Sequence, residues 1–381
     1  MSVEAQLRAE LDALRKRGQY RTLPGVQSNA GQVNLSTNDY LALGQDVALQ
    51  QAFLAEVDVH QAPLGACSSR LLTGNFAPFG ALETALCQAY GRQALVFNSG
   101  YHANIGILPA LANKHTLILA DKLIHASVID GIRLSACDFK RFRHNDMAHL
   151  AALLATHHAN YARVIIATES VFSMDGDSAD LGALVALKKR YENVLLYVDE
   201  AHSVGCYGAQ GLGWAQKCGV IDEIDLLVGT FGKAFASTGA FVICAPVMAA
   251  YLTNTMRPLI FSTALSPLVM AWSGYVLAKM PKLAEKRAHL AHISARLREG
   301  ISTLTGQANP STSYIVPLIV GENDRAVALA QALQQRGFYC LPIRPPTVPQ
   351  GTARIRFSLH ANVDASTIDA LLDTLETLLR A

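Results

Sequence analysis

Six short, continuously apolar runs punctuate the middle of the chain: Ala94–Phe97, Thr116–Ala120, Val164–Thr168, Val194–Val198, Leu226–Val228 and Ala240–Ile243. Helical patterns separate them from about residue 80 to 245. Unbroken apolar runs of this length are expected of parallel strands covered on both faces, so the region reads as α/β. A Leu- and Ala-rich helical zone follows from Ser266 to Leu304. A strand-helix-strand pattern then runs from Ile315 through Arg325–Arg336 to Ile355–Leu359, predicting a smaller carboxyl-terminal domain. At the other end, Met1–Arg17 is a charged helical pattern with Leu7, Leu11 and Leu14 at helix spacing. The expected division is an amino-terminal helix and arm over 1–38, a large domain over 39–265 and a small domain over 266–381. Pro345–Pro349 is too short for a linker and reads as a rigid loop.

With 381 residues, 51% hydrophobic and 16% charged, the chain has ample material for a large core. Its formal net charge of +2 comes without a long Lys/Arg block and gives no electrostatic footprint for nucleic acid. No run approaches the roughly 20 apolar residues of a membrane span, and the amino terminus lacks the apolar core of a secretory signal. A cytoplasmic location without membrane contact is the expectation. Seven scattered cysteines with no CxxC pair indicate neither a disulfide framework nor a zinc site, so no metal is expected.

Ligands of open α/β sheets sit beyond the carboxyl ends of strands, which directs attention to the residues after each run. Lys233 follows Leu226–Val228 in the small, apolar turn Gly229–Phe235. A lysine with few charged neighbours can be neutral near pH 7, and only the neutral amine attacks a carbonyl. Asn98–Asn104 is a small-residue turn opening a helix, where backbone N–H groups could cradle a phosphate; by itself it reads more simply as a helix cap. Asp199-Glu200-Ala201-His202 puts a carboxylate at a strand tip with an imidazole three residues on. The same letters occur in nucleotide-driven helicases, but this chain has no GxxxxGK[ST] loop, and that reading fails. Taken singly, Asp199 is as readily a turn cap, and His125 reads first as a core histidine satisfied by the backbone. Their order changes the picture: phosphate-type turn, histidine, strand-tip aspartate, then lysine is what a pyridoxal phosphate site requires.

At this level of detail the sequence resembles a known family over nearly its whole length, the α-oxoamine synthases of the fold-type I pyridoxal phosphate enzymes. The segments that carry the resemblance are Asn34–Leu41, Ser69–Gly74, Asn98–Tyr101, Val171–Asp177, Val198–Ser203 and Gly229–Lys233. It implies an aminotransferase-like large domain with a mostly parallel seven-stranded sheet and a smaller α+β carboxyl-terminal domain. It implies that Lys233 holds the cofactor covalently and then serves as base, that Asp199 keeps the pyridine nitrogen protonated, and that His125 stacks on the ring. His202 and Ser173 are implied at the phenolic oxygen. Gly100, Tyr101 and Thr230, with Ser262 and Thr263 of a neighbouring subunit, are implied at the phosphate, and so is a homodimer. Arg356 is implied as the fork that grips an amino acid carboxylate, with Asn38 beside it. Spacing alone does not separate Arg356 from Arg354, and only the resemblance favours Arg356. Arg21, Arg344 and Thr347 complete the implied substrate-binding set.

Within the family, Ile343–Arg356 is similar to the biotin-pathway member, which joins L-alanine to a pimeloyl thioester on coenzyme A or acyl carrier protein. Other members take glycine or serine with a different thioester, and the Arg344–Pro349 loop speaks against them. A non-catalytic binding protein on the same scaffold is the alternative from another class.

Overall fold

The apolar runs become the strands of one sheet in a computed structural model that describes residues 1–23 and 31–380. Residues 24–30 of the expected arm lie outside the described residues. Two compact units emerge. One comprises residues 39–173 and 177–289, the other 1–38, 174–176 and 290–381.

The larger unit is built on seven strands in the order β2-β8-β7-β6-β5-β3-β4. They are β2 (Gln93–Phe97), β3 (Thr116–Asp121), β4 (Asp138–Phe142), β5 (Arg163–Glu169), β6 (Val194–Asp199), β7 (Leu226–Thr230) and β8 (Ala240–Cys244); β1 lies in the other unit. All pair in parallel except β8, which is antiparallel to both β2 and β7. The apolar run of β8 reads as a parallel strand from sequence. It reports burial on both faces, not direction, and every residue of β8 is buried. Hydrophobic pattern misses β4, because this edge strand exposes Asp138 through Lys140 and Arg141 and buries only Phe142. A core of fully buried side chains, including Ile107, Ile118, Ile165, Tyr197 and Val242, lies under the helices on one face.

The helical zone after Ser266 does not start the small domain as expected. Helix Pro267–Lys279 packs in the larger unit, where Trp272 meets Phe53 edge-on at 5.2 Å. The division falls inside the helix Ala284–Thr305, whose first residues stay with the larger unit through Arg287, which donates to the carbonyls of Met280 and Ala209. A continuous helix has no composition break at such a point.

The smaller unit holds an antiparallel sheet ordered β11 (Pro342–Ile343), β12 (Ala353–Ser358), β9 (Ile315–Gly321) and a short parallel pair, β1 (Val33–Asn34) with β10 (Phe338–Tyr339). The pairing of β1 places the amino-terminal segment in the unit of the carboxyl terminus, which is why it is no separate domain. The expected first helix is present as Val3–Lys16, capped by Ser2. Among the described residues no helix is long and apolar enough to cross a membrane.

Candidate active site

Because β2, β3, β5, β6 and β7 share one direction, their carboxyl ends open on one edge of the sheet. Asp199 ends β6 and Glu169 ends β5 directly beside it in register. Thr230 ends β7, and the chain then turns through Gly232 and Lys233. Asn98 and Ser99 follow β2 and start the helix Gly100–Leu111.

Lys233 is half-buried, with Nζ 2.7 Å from Nε2 of His202. The other nitrogen of that ring, Nδ1, lies 2.6 Å from the hydroxyl of Tyr40. The turn around Lys233 is fixed by Thr230, whose hydroxyl donates to the Gly239 carbonyl at 3.0 Å and accepts from Gly232 N–H at 3.1 Å. Gly239 holds φ at +102°, a conformation that L side chains rarely adopt.

Asp199 is 6% exposed, and each carboxylate oxygen has a donor: Asn104 Nδ2 at 2.8 Å on Oδ2 and Ala201 N–H at 2.9 Å on Oδ1. Asn104 also donates to Ser127 Oγ at 2.8 Å and accepts from the Tyr197 hydroxyl. The helices carrying Asn104 and Ser127 meet so closely that a Cβ on Gly131 would stand 2.4 Å from the Asn104 carbonyl oxygen. His125 caps the helix Ala126–Leu134; its Nδ1 accepts from Ser127 N–H at 3.3 Å and lies 2.7 Å from Ser127 Oγ. Crowding by protein atoms lowers the His125 pKa, and Lys233 adds to this while Asp199 and Asp130 oppose it.

Glu169 is 2% exposed, and its Oε1 has no hydrogen-bond partner among the described residues. Burial and the charge of Asp199 push its pKa well up, against the pull of Lys233 and of the His125 backbone N–H. Glu200, the residue after Asp199, turns away from the strand tip. It accepts the N–H groups of Trp214 and Ala215 at 2.8 Å each and the Ser170 hydroxyl at 3.1 Å, and burial raises it to about 7. This ties the loop after β6 to the start of the next helix.

The remaining expected residues fall in two places. In the larger unit, Ser99 caps the helix that starts with Gly100 and Tyr101, whose N–H groups are among those an α-helix leaves without intrahelical partners. The Thr263 carbonyl accepts Asn98 Nδ2 at 2.7 Å, which brings the segment of Ser262 and Thr263 beside this turn, and Ser173 is half-buried after β5. In the smaller unit, Arg354 and Arg356 of β12 have different surroundings. Arg354 is ion-paired with Asp175 and donates to the Thr352 carbonyl, its side chain 4% exposed. Arg356 reaches Asn38 Oδ1 with Nη1 and Nη2 at 3.4 and 3.3 Å. Arg21 donates to Thr347 Oγ1 at 2.8 Å, and Arg344 to the Gly18 carbonyl at 2.6 Å.

Tyr40, Asn104 and Glu169 are absent from the sequence expectation. Tyr40 lies in a segment already singled out, but nothing in it says that the hydroxyl meets His202. Asn104 closes the singled-out segment Asn98–Asn104, but nothing there says that its side chain meets Asp199, and Glu169 is one more strand end.

The family model for class I and II aminotransferases matches residues 30–375. The chain belongs to this family. Among its relatives in the family, 8-amino-7-oxononanoate synthase of Haemophilus ducreyi is 54% identical over 98% of this chain and 99% of that protein. The enzyme of the same name from Chlorobaculum parvum is 48% identical over 99% and 100%. Of solved structures, a serine palmitoyltransferase from S. paucimobilis with a bound PLP–myriocin aldimine superposes with a TM-score of 0.89 at 29% identity, covering 100% of this chain and 99% of that one. 8-Amino-7-oxononanoate synthase from Francisella tularensis superposes at 0.79 with 27% identity, covering 92% and 98%. Backbone likeness thus extends across members with different names, while identities near one half over full length fall on the 8-amino-7-oxononanoate synthases.

The residues present fit pyridoxal phosphate. A buried carboxylate with a donor on each oxygen suits a protonated ring nitrogen, an amine beside an imidazole suits the aldehyde carbon, and the capped helix start suits a phosphate.

Proposed function

We propose that the chain is a pyridoxal phosphate-dependent acyltransferase that joins L-alanine to a pimeloyl thioester, releasing carbon dioxide and the free thiol carrier, as in biotin biosynthesis. The observation that carries the reading is the 2.7 Å contact between Lys233, in the turn after β7, and His202, in the turn after the buried Asp199, in a chain 54% identical to an 8-amino-7-oxononanoate synthase. When bound, the cofactor supplies the electron sink that makes loss of the α-proton and of carbon dioxide feasible.

The chain's own residues supply geometry and proton transfer. Lys233 is the amine that anchors the cofactor and the base that removes the α-proton, and Tyr40 and His202 hold it through a hydrogen-bonded row. Asp199 is the anionic partner that keeps a positive charge on the ring nitrogen, its two oxygens oriented by Asn104 and Ala201. His125 covers the ring, with His202 and Ser173 at its phenolic oxygen. Gly100, Tyr101 and Thr230 bind the phosphate, and Ser262 and Thr263, whose segment lies beside the Asn98 turn of its own chain, complete the phosphate site of the second copy of a homodimer. Large apolar side chains exposed near the Ser69–Thr263 bridge, Leu64 (81%), Leu72 (78%) and Phe261 (70%), support such a dimer. Arg356 and Asn38 take the amino acid carboxylate; Arg354, paired with Asp175, serves the fold. Arg21, Arg344 and Thr347 serve the acyl donor. Free cysteines at all seven positions fit a reducing, cytoplasmic setting.

Product mass spectrometry tests the reading: cofactor-loaded protein is mixed with pimeloyl-CoA and either L-alanine, glycine or L-serine. The mass of 8-amino-7-oxononanoate is expected with alanine alone, and product with glycine or serine instead would overturn the substrate assignment.

A further inference from the structure

Three groups that the proposed chemistry needs or leaves unexplained meet at one buried amide. Asn104 is 1% exposed, and its side chain is saturated: both Nδ2 hydrogens are spent on Asp199 Oδ2 and Ser127 Oγ, and Oδ1 accepts from Tyr197. The orientation of the amide follows from its partners: Oδ1 accepts from the Tyr197 hydroxyl, which leaves Nδ2 facing Asp199. Tyr197 is fully buried, and burial together with Asp199 raises its pKa well above the ordinary value, which keeps its hydroxyl a donor. Ser127 Oγ then receives a hydrogen from Asn104 and has its own to give; the nitrogen in reach is His125 Nδ1 at 2.7 Å. The backbone N–H of Ser127 points at the same nitrogen from 3.3 Å. A nitrogen that faces a backbone N–H and a hydroxyl hydrogen carries no hydrogen of its own.

We infer that Asn104 is a positioning residue that sets two states at once: it holds Asp199 as an oriented carboxylate, and through Ser127 it fixes His125 as a neutral imidazole protonated on Nε2. His125 then presents an N–H donor on the side of the ring away from the helix cap. The crowding that lowers the His125 pKa agrees with a neutral ring. The inference rests on the reading of Asp199 and His125 as site residues, but its readout is independent of turnover.

The test is two-bond 1H–15N correlation of full-length, cofactor-loaded protein labelled at histidine, with the His125 resonances assigned by their loss in His125→Gln. In the wild type at pH 7.5, Nδ1 is expected at the position of an unprotonated ring nitrogen and Nε2 at that of a protonated one. Ser127→Ala should convert this to a mixture of tautomers while leaving cofactor affinity in the wild-type range, because Asp199 keeps Asn104. Asn104→Leu should mix the tautomers and also weaken cofactor affinity about tenfold, the cost of one charge-assisted hydrogen bond. A wild-type His125 that is protonated on Nδ1, or a Ser127→Ala tautomer unchanged from wild type, overturns the inference even if Asn104→Leu does not fold. A failed product assay with these NMR results intact would overturn the reaction and leave the network standing.

Discussion

Glu169 and Asp199 end neighbouring parallel strands at the same level, two buried carboxylates side by side in one sheet edge. Two such groups do not both ionise in a site shielded from water. Asp199 has donors from Asn104 and Ala201, whereas Glu169 Oε1 has no partner among the described residues, and burial together with the charge of Asp199 pushes the Glu169 pKa well up, so Glu169 is the one that holds a proton.

A raised carboxyl pKa stabilises the fold fully below its unfolded value, near 4.5, and this contribution is lost as pH rises through the folded value. Glu169→Gln imitates the protonated acid at every pH. Its stability in urea at pH 8 is therefore expected to equal or exceed that of the wild type, with the advantage vanishing at pH 4.5; a variant less stable than wild type at pH 8 contradicts a protonated Glu169.

Lys233→Ala is expected to abolish product formation, and the purified protein should lack the visible absorbance that covalently held cofactor gives. Secondary structure by circular dichroism should be unchanged, since Lys233 is half-buried in a turn that Thr230 and Gly239 fix. Turnover above trace would remove Lys233 from the centre of the chemistry.

The two arginines of β12 should separate cleanly. Arg356→Lys loses a two-pronged grip and should lower kcat/KM for the amino acid by about ten- to a hundredfold through KM, with little change in melting temperature. Arg354→Met strands Asp175 and should destabilise the protein by about 3 kcal/mol, the scale of breaking a largely buried pair. Steady-state kinetics and denaturant unfolding of both variants decide, and an exchanged pattern would reassign the roles.

His144 sits between Asp121 and Asp177 at 2.9 and 2.7 Å. Burial works against its charge, yet the hydrogen bonds to the two aspartates prevail and raise it to about 10. For a raised histidine the stabilisation is complete below the unfolded value of 6.5 and disappears as pH climbs through about 10. Wild type should lose on the order of 3 kcal/mol more stability than His144→Phe between pH 6.5 and 10, after discounting for partial exposure. Parallel slopes in urea titrations would place the imidazolium elsewhere in the pH range.

Most of the sheet is readable from the chain, because a strand covered on both faces must be apolar throughout, and Ala94–Phe97, Val164–Thr168 and Val194–Val198 show just that. The edge strand Asp138–Phe142 escapes, since an edge is under no such demand. Direction escapes as well: Ala240–Cys244 is as apolar as its parallel neighbours and runs the other way. The division near residue 289 is silent because a single helix crosses it.

What the sequence determined by itself was the α/β class, the family, the cofactor and the candidate residues at and just after strand ends, above all Lys233, Asp199 and His202. These are local facts: the order of apolar runs and the identity of the residue after each. Only tertiary structure decided that Arg354 is spent on Asp175, that Tyr40 backs His202, that Glu169 shares its edge with Asp199 and that Asn104 joins Asp199 to His125. Apart from the short step from Ser127 to His125, each of these rests on a contact between residues 23 or more positions apart, set by strand register and by how closely two helices pack, and neither quantity is written in any one segment of the chain.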